Sequence, residues 1–223
     1  MPLGSKLAIA AAWLGIVGLV AWWLDRQPQR QPELTRKVVH IGTGNVILIA
    51  WALAIPAWVG IAASIFFAGV ALLSYALPLL PGINSVGRRS FGTFFYAVTI
   101  GLLVAWFWPR SQPQFAALGV LIMTWGDGLA GLVGRSWGRH PYELAGMAKS
   151  WEGSLTMAVV SGAIAGAILT ATVAAPGALI LAIALGVGLL AALLESFSPW
   201  GIDNLTVPLG TAGLAGLVCN WLF

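Results

Sequence analysis

The stretch richest in chemical potential is Trp125-Gly-Asp-Gly-Leu-Ala-Gly-Leu-Val-Gly-Arg-Ser-Trp-Gly-Arg139. Asp127 interrupts an apolar run, where a carboxylate costs about 2.5–3.5 kcal/mol on insertion scales. On a helix, Asp127, Gly131 and Gly134 share a face at i, i+4 and i+7. A carboxylate above a glycine stripe leaves room for a ligand against bare backbone, and Arg135 and Arg139 follow one turn apart. Carboxylate, backbone and paired guanidinium together suit a metal-bound polyphosphate. The plainer alternative is a glycine packing seam with Asp127 in an interhelical ion pair.

Three further clusters carry complementary chemistry. In Lys149-Ser-Trp-Glu-Gly-Ser154, Lys149 and Glu152 lie one turn apart before an apolar run. Lysine holds phosphate as a point charge, and Glu152 can ligate magnesium or orient Lys149. The spacing is not that of a Walker A loop, because Ala148 precedes the lysine; a dipole-favourable glutamate at a helix start is the simpler alternative. In Glu195-Ser-Phe-Ser-Pro-Trp-Gly-Ile-Asp-Asn-Leu-Thr-Val-Pro208, Asp203 and Asn204 supply hard oxygen ligands for magnesium or simply cap a helix. In Arg36-Lys37-Val-Val-His40, the two cations neighbour His40 at i, i+4 and i, i+3. His40 could hydrogen-bond phosphate, take a proton, or be a satisfied polar group between helices. Asn84, Arg88, Arg89 and Thr93 form a fifth basic loop, equally suited to setting topology.

These clusters are set in a membrane frame. The 223-residue chain is 59% hydrophobic and 8% charged, with a mean hydropathy of +0.91. Soluble proteins carry about 25% charge, so lipid is the solvent for most of this surface. The net charge of +4 and pI near 9.7 then read as basic cytoplasmic loops rather than a nucleic-acid surface. Cys219, the single cysteine, excludes an internal disulfide framework and any cysteine-based zinc site. Runs of roughly 20 apolar residues predict an all-α transmembrane bundle forming one domain over residues 1–223. It has about eight helices, at 6–24, 36–56, 57–78, 92–108, 114–133, 154–174, 177–194 and 205–222. The weakest divisions are at Pro56 and Pro176, so seven is the other count. The N-terminal run reads as a retained helix, having no clear small-residue cleavage site. Gly162-Ala-Ile-Ala-Gly166 predicts close helix packing.

Charge orients the bundle. With the N-terminus outside, nine of the eleven basic residues fall in inner segments: Arg26, Arg30, Arg36, Lys37, Arg88, Arg89, Arg135, Arg139 and Lys149. Only Lys6 and Arg110 fall outside, as the positive-inside rule requires. The seven acids and both histidines, His40 and His140, lie in or toward the same inner segments. One site assembled at the cytoplasmic face is therefore expected. A transporter with Asp127 as its ion site is less compatible, because a translocation path needs polar groups across the bilayer. Helix five carries the main topological demand. Its uncharged part, Gln114 to Gly126, is 13 residues long. It reaches across only if neighbouring helices shield Asp127, and a re-entrant segment there would reverse every later loop.

The ordered set Arg36-Lys37-x-x-His40, Gly126-Asp127-Gly128-x-Ala130-x-x-x-Gly134-Arg135-x-x-Gly138, Lys149-Ser-x-Glu152-Gly-Ser154 and Asp203-Asn-Leu-Thr-Val-Pro208 resembles the phytol, farnesol and dolichol kinase family. Size and motif order look most like its phytol kinase branch, and the resemblance runs from about Glu33 to Gly210. It implies phosphoryl transfer from CTP, sometimes UTP, to an isoprenoid alcohol at the membrane. Under it, Asp127 is the foremost magnesium ligand, with Glu152 and Asp203 as partners. Lys149, Arg135 and Arg139 contact phosphates, with Arg36, Lys37, Gly131, Gly134, Ser150 and Asn204 completing the nucleotide site. His40 or a carboxylate near it accepts the alcohol proton. One departure is Ile202, where many relatives carry a second aspartate. The Gly-Asp and Lys-Ser-Trp-Glu-Gly stretches also resemble CDP-diacylglycerol synthases. Those enzymes end in a Gly-His-Gly-Gly segment with paired aspartates, which Trp200-Gly-Ile-Asp-Asn-Leu-Thr-Val-Pro208 lacks.

Overall fold

A computed structural model describes residues 1–28, 32–77, 90–144 and 146–222. Asn84, Arg88 and Arg89 of the fifth basic loop, and Arg30, lie outside the described residues. The chain forms α1 (Leu3–Asp25), α2 (Pro32–Gly44), α3 (Val46–Ala52), α4 (Ala57–Ala76), α5 (Gly92–Phe107) and α6 (Pro113–Leu121). A π-helical turn (Ile122–Gly126) leads into α7 (Asp127–Trp137). Then follow β1 (Pro141–Leu144), β2 (Met147–Ser150), α8 (Trp151–Thr172), α9 (Gly177–Ser196), a 3-10 turn (Pro199–Gly201) and α10 (Asp203–Leu222). Six helical stretches among the described residues are long and apolar enough to cross a membrane; α5 is shorter. Pro56 and Pro176 precede α4 and α9 and divide the helices there, since a ring nitrogen supplies no donor to a continuing helix.

The expected span 36–56 differs: it is two stretches, α2 and α3, meeting at Asn45. The hairpin of β1 and β2, paired antiparallel with Tyr142 opposite Lys149, is an addition to the expected all-α plan. Helix five does not fold back. Residues Pro113–Trp137 run on as one 25-residue stretch through the π turn, about 37 Å at 1.5 Å per residue. It is the pillar of the bundle: Phe115 to Thr124 are buried throughout, while 6% of the α1 window is buried.

Small residues let the helices approach. Gly162 sits under Ala184 of α9, and a Cβ on Gly188 would lie 2.4 Å from the Ala158 carbonyl oxygen. That neighbour is backbone and cannot rotate away. Gly188→Ala is therefore expected to lower stability by about 1–3 kcal/mol. Gly186→Ala, with open space around it, should be neutral or slightly stabilising through helix propensity. Thermal unfolding of the two variants in detergent checks this; equal midpoints would refute the packing argument.

In α10, Pro208 leaves the carbonyl of Asn204 without its helical donor. The hydroxyl of Thr99 on α5 donates to that oxygen at 2.8 Å instead. Before α10, Gly201 has φ +82°, and a Cβ there would lie 2.8 Å from Gly92 Cα; only glycine fits both demands. The Phe91 amide donates to the Trp200 carbonyl at 2.9 Å, holding the start of α5 against the start of α10.

The bundle has two chemically distinct ends. At one, Lys6 donates to Ala54, Trp108 to Ile55, and Gln112 to Asn220. The other gathers the starts of α2, α5 and α10, the end of α9, α7 and the hairpin.

Candidate active site

The charged end is built around Asp127, the first residue after the π turn. Lys37 of α2 donates to its carboxylate at 2.7 Å and to its backbone carbonyl at 3.0 Å. Lys37 is 3% exposed, so this is the interhelical pair needed to keep a carboxylate among apolar helices. His40 lies one turn along α2, with Nε2 3.3 Å from the Met123 carbonyl oxygen and 3.8 Å from the Asp127 carboxylate. Its ring packs on Tyr96 at 4.6 Å between centroids, and the Tyr96 hydroxyl donates to the His40 carbonyl at 2.9 Å. Met123 lies within the π turn, and such turns are frequent at functional sites.

Around this centre every basic residue of the α2 and β2 motifs is held by a carboxylate. Glu33 accepts from Arg36 and from Arg135, each at 2.5 Å, tying α2 to the end of α7. Burial pushes the Glu33 carboxyl up, but Arg36, Arg135 and Lys37 outweigh it and hold the group below its ordinary range. Lys149 on β2 pairs with Glu195 at the end of α9 and donates to the Ser198 hydroxyl at 3.0 Å. Glu152 faces His140, at 2.7 Å from Nδ1. The guanidinium of Arg139 makes no ion pair among the described residues.

The glycines expected beneath a ligand have protein neighbours here. A Cβ on Gly131 would lie 3.1 Å from the Lys37 amine, and one on Gly134 would lie 3.0 Å from Ser150 Oγ. Ser150 is the N-cap of α8, its hydroxyl accepting from the Gly153 amide at 3.2 Å. Asp203 Oδ1 accepts from the Asn204 amide at 3.0 Å. It lies within electrostatic reach of Asp127, Lys149 and Glu195, as Arg36 does of Asp127 and Asp203. The four motifs thus meet in one charged region.

Its oxygen donors suit a hard cation. The Asn204 side-chain nitrogen faces two acceptors, Gly201 O and Asp203 Oδ1. That fixes the amide's orientation and leaves its Oδ1 buried with no hydrogen-bond partner among the described residues. Among the described residues no three His, Cys, Asp or Glu side chains gather as metal ligands. Magnesium does not require such a cage, being held by one or two carboxylates, water and substrate phosphates.

Over 215 residues the chain is 53% identical to the phytol kinase of Synechocystis sp., covering 96% of this chain and 92% of that protein. The chain belongs to the phytol kinase family. A probable chloroplastic phytol kinase of Triticum aestivum is 29% identical over 246 residues, covering 96% of this chain and 77% of its own length. Another, of Zea mays, is 30% identical over 214 residues, covering 84% and 67%. No family model and no solved structure matches. In this phytol kinase family member, the converging cations and carboxylates are the groups equipped to handle a phosphoryl group.

Sequence reasoning left three residues out of the site. Glu33 and Glu195 each partner a basic motif residue, and Glu195 had a signal: it is the lone charge ending a long uncharged run. Tyr142, bonded to Ser154 at 2.6 Å and Ser196 at 3.0 Å, had none.

Proposed function

We propose that this protein transfers the terminal phosphate of CTP, or of UTP, to the hydroxyl of a long-chain isoprenoid alcohol such as phytol. The reaction takes place at the cytoplasmic face of the membrane, with Mg2+. The observation that carries this reading is the 53% identity to a phytol kinase across nearly the whole chain, together with the meeting of all four motifs at one end. The alcohol oxygen attacks the γ-phosphorus, the bond from that phosphorus to the β–γ bridging oxygen breaks, and CDP departs. Such a transfer depends on positioning and charge neutralisation more than on covalent catalysis.

Asp127, Asp203 and the buried Asn204 oxygen would hold magnesium, which when bound neutralises charge on the phosphates. Glu152 is the further carboxylate available to it. Lys149, Arg135 and Arg139 contact the phosphates, and Arg36 and Lys37 set the potential around them. His40, or the carboxylate beside it, takes the alcohol proton. The cytoplasmic placement is supported by the basic residues crowding the site end, with Lys6 and Arg110 at the other. A lipid tail then stays in hydrocarbon while its hydroxyl meets a water-soluble nucleotide.

The test is an assay of purified protein with CTP labelled at the γ or the α phosphate, offered phytol beside phosphatidic acid. The expected product is phytyl phosphate carrying γ label. Transfer of α label to phosphatidic acid would instead establish a cytidylyltransferase.

A further inference from the structure

We propose that Glu195 is a positioning residue: from the buried end of α9 it fixes the Lys149 amine for contact with the transferring phosphate. The inference rests on the kinase reading above, in which Lys149 is a phosphate contact. Lysine carries its charge on a four-carbon stem with many rotamers, and β2 is only four residues long. Something outside the hairpin must aim it.

The register of the hairpin supplies the means. Tyr142 and Lys149 stand directly opposite each other, so their side chains leave the hairpin on the same face. They land on consecutive residues of α9: Lys149 on Glu195, Tyr142 on Ser196. Tyr142 also reaches Ser154 of α8, and Ser198 gives Lys149 a second oxygen. The hairpin is thereby fastened to the last turn of α9 at two adjacent points, one ionic and one hydroxyl. Glu195 is 6% exposed. A carboxylate so buried is tolerated because it is paired, and with its charge committed to Lys149 it orients the amine. Asp203 lies within electrostatic reach of both.

A double-variant cycle tests this on detergent-purified full-length protein. Lys149→Met should lower kcat/KM for the nucleotide by about 10²-fold, the scale of a lost positioned contact. Glu195→Gln should lower it comparably while leaving KM for the alcohol unchanged. The double variant should lose no more than Lys149→Met alone, because two residues acting as one unit are not additive. A merely structural glutamate would instead depress both substrates' parameters and add its loss to that of the lysine. If Lys149→Met is crippled while Glu195→Gln turns over normally, or if the losses add, Glu195 does not position the lysine. If Lys149→Met is fully active, the phosphate role of Lys149 fails and the proposal falls with it. Should Glu195→Gln not fold, Glu195→Asp, which keeps the charge but shortens its reach to Lys149, takes its place in the same cycle with the same two outcomes.

Discussion

Asp127→Asn is expected to reduce phosphoryl transfer by about 10²–10³-fold or more, the loss seen when one preorganised electrostatic group is removed. The amide is nearly isosteric, and its oxygen can still accept from Lys37, so the helices should pack and insert. The negative charge is what disappears. That charge is the candidate ligand for magnesium and the counter-charge to Lys37 at 2.7 Å. Rates should be measured at saturating and at limiting magnesium, beside thermal unfolding in detergent. Near-normal turnover at limiting magnesium would remove Asp127 from the metal site.

The companion variant, Lys37→Met, should act first on stability. Methionine fills the buried stem's volume but leaves Asp127 facing apolar helices with no opposing ammonium. Breaking a buried pair on one side costs about 3–5 kcal/mol. Asp127 keeps 20% of its side-chain surface exposed, which favours the lower figure. A thermal midpoint lowered by on the order of 10 °C follows for a chain of this size. Adding Asp127→Leu should restore most of the midpoint, since an apolar pair can replace a buried ion pair, yet restore no activity. The pairing argument would be undone by a Lys37→Met protein that melts with the wild type.

Much of this was legible in the sequence because a bilayer allows few solutions. Apolar run length located the helices, and the prolines at 56 and 176 divided them. Asp127 stood out because a carboxylate in such a run needs a partner, and Lys37 supplies it. What was hidden depended on contacts distant in sequence. Lys37 and Asp127 are 90 residues apart, and the pairing of Lys149 with Glu195 spans 46. No periodicity announced the hairpin: strands of four residues are too short to display alternation clearly. Nor was the π turn visible, since Gly126-Asp127-Gly128 suggests loosened helix without saying which way it loosens. The Asp203-Asn204 pair could be read as cap or ligand from its residue types alone. Asp203 accepts from the amide of its neighbour, while the Asn204 oxygen has no donor among the described residues.

The bond from Thr99 to the Asn204 carbonyl has a bearing on how this sequence can drift. Pro208 creates the vacancy that Thr99 fills, so neither position is independent of the other. Replacing Thr99 by valine while the proline remains strands a carbonyl in an interior without water. Replacing Pro208 by alanine returns that carbonyl to its own helix and frees position 99 to become apolar. The permitted order of change is therefore one-way: the proline must go before the hydroxyl can. Because the carbonyl in question belongs to Asn204, this small dependency sits directly behind the oxygen donors of the site, and a lineage that takes the steps in the wrong order disturbs them first.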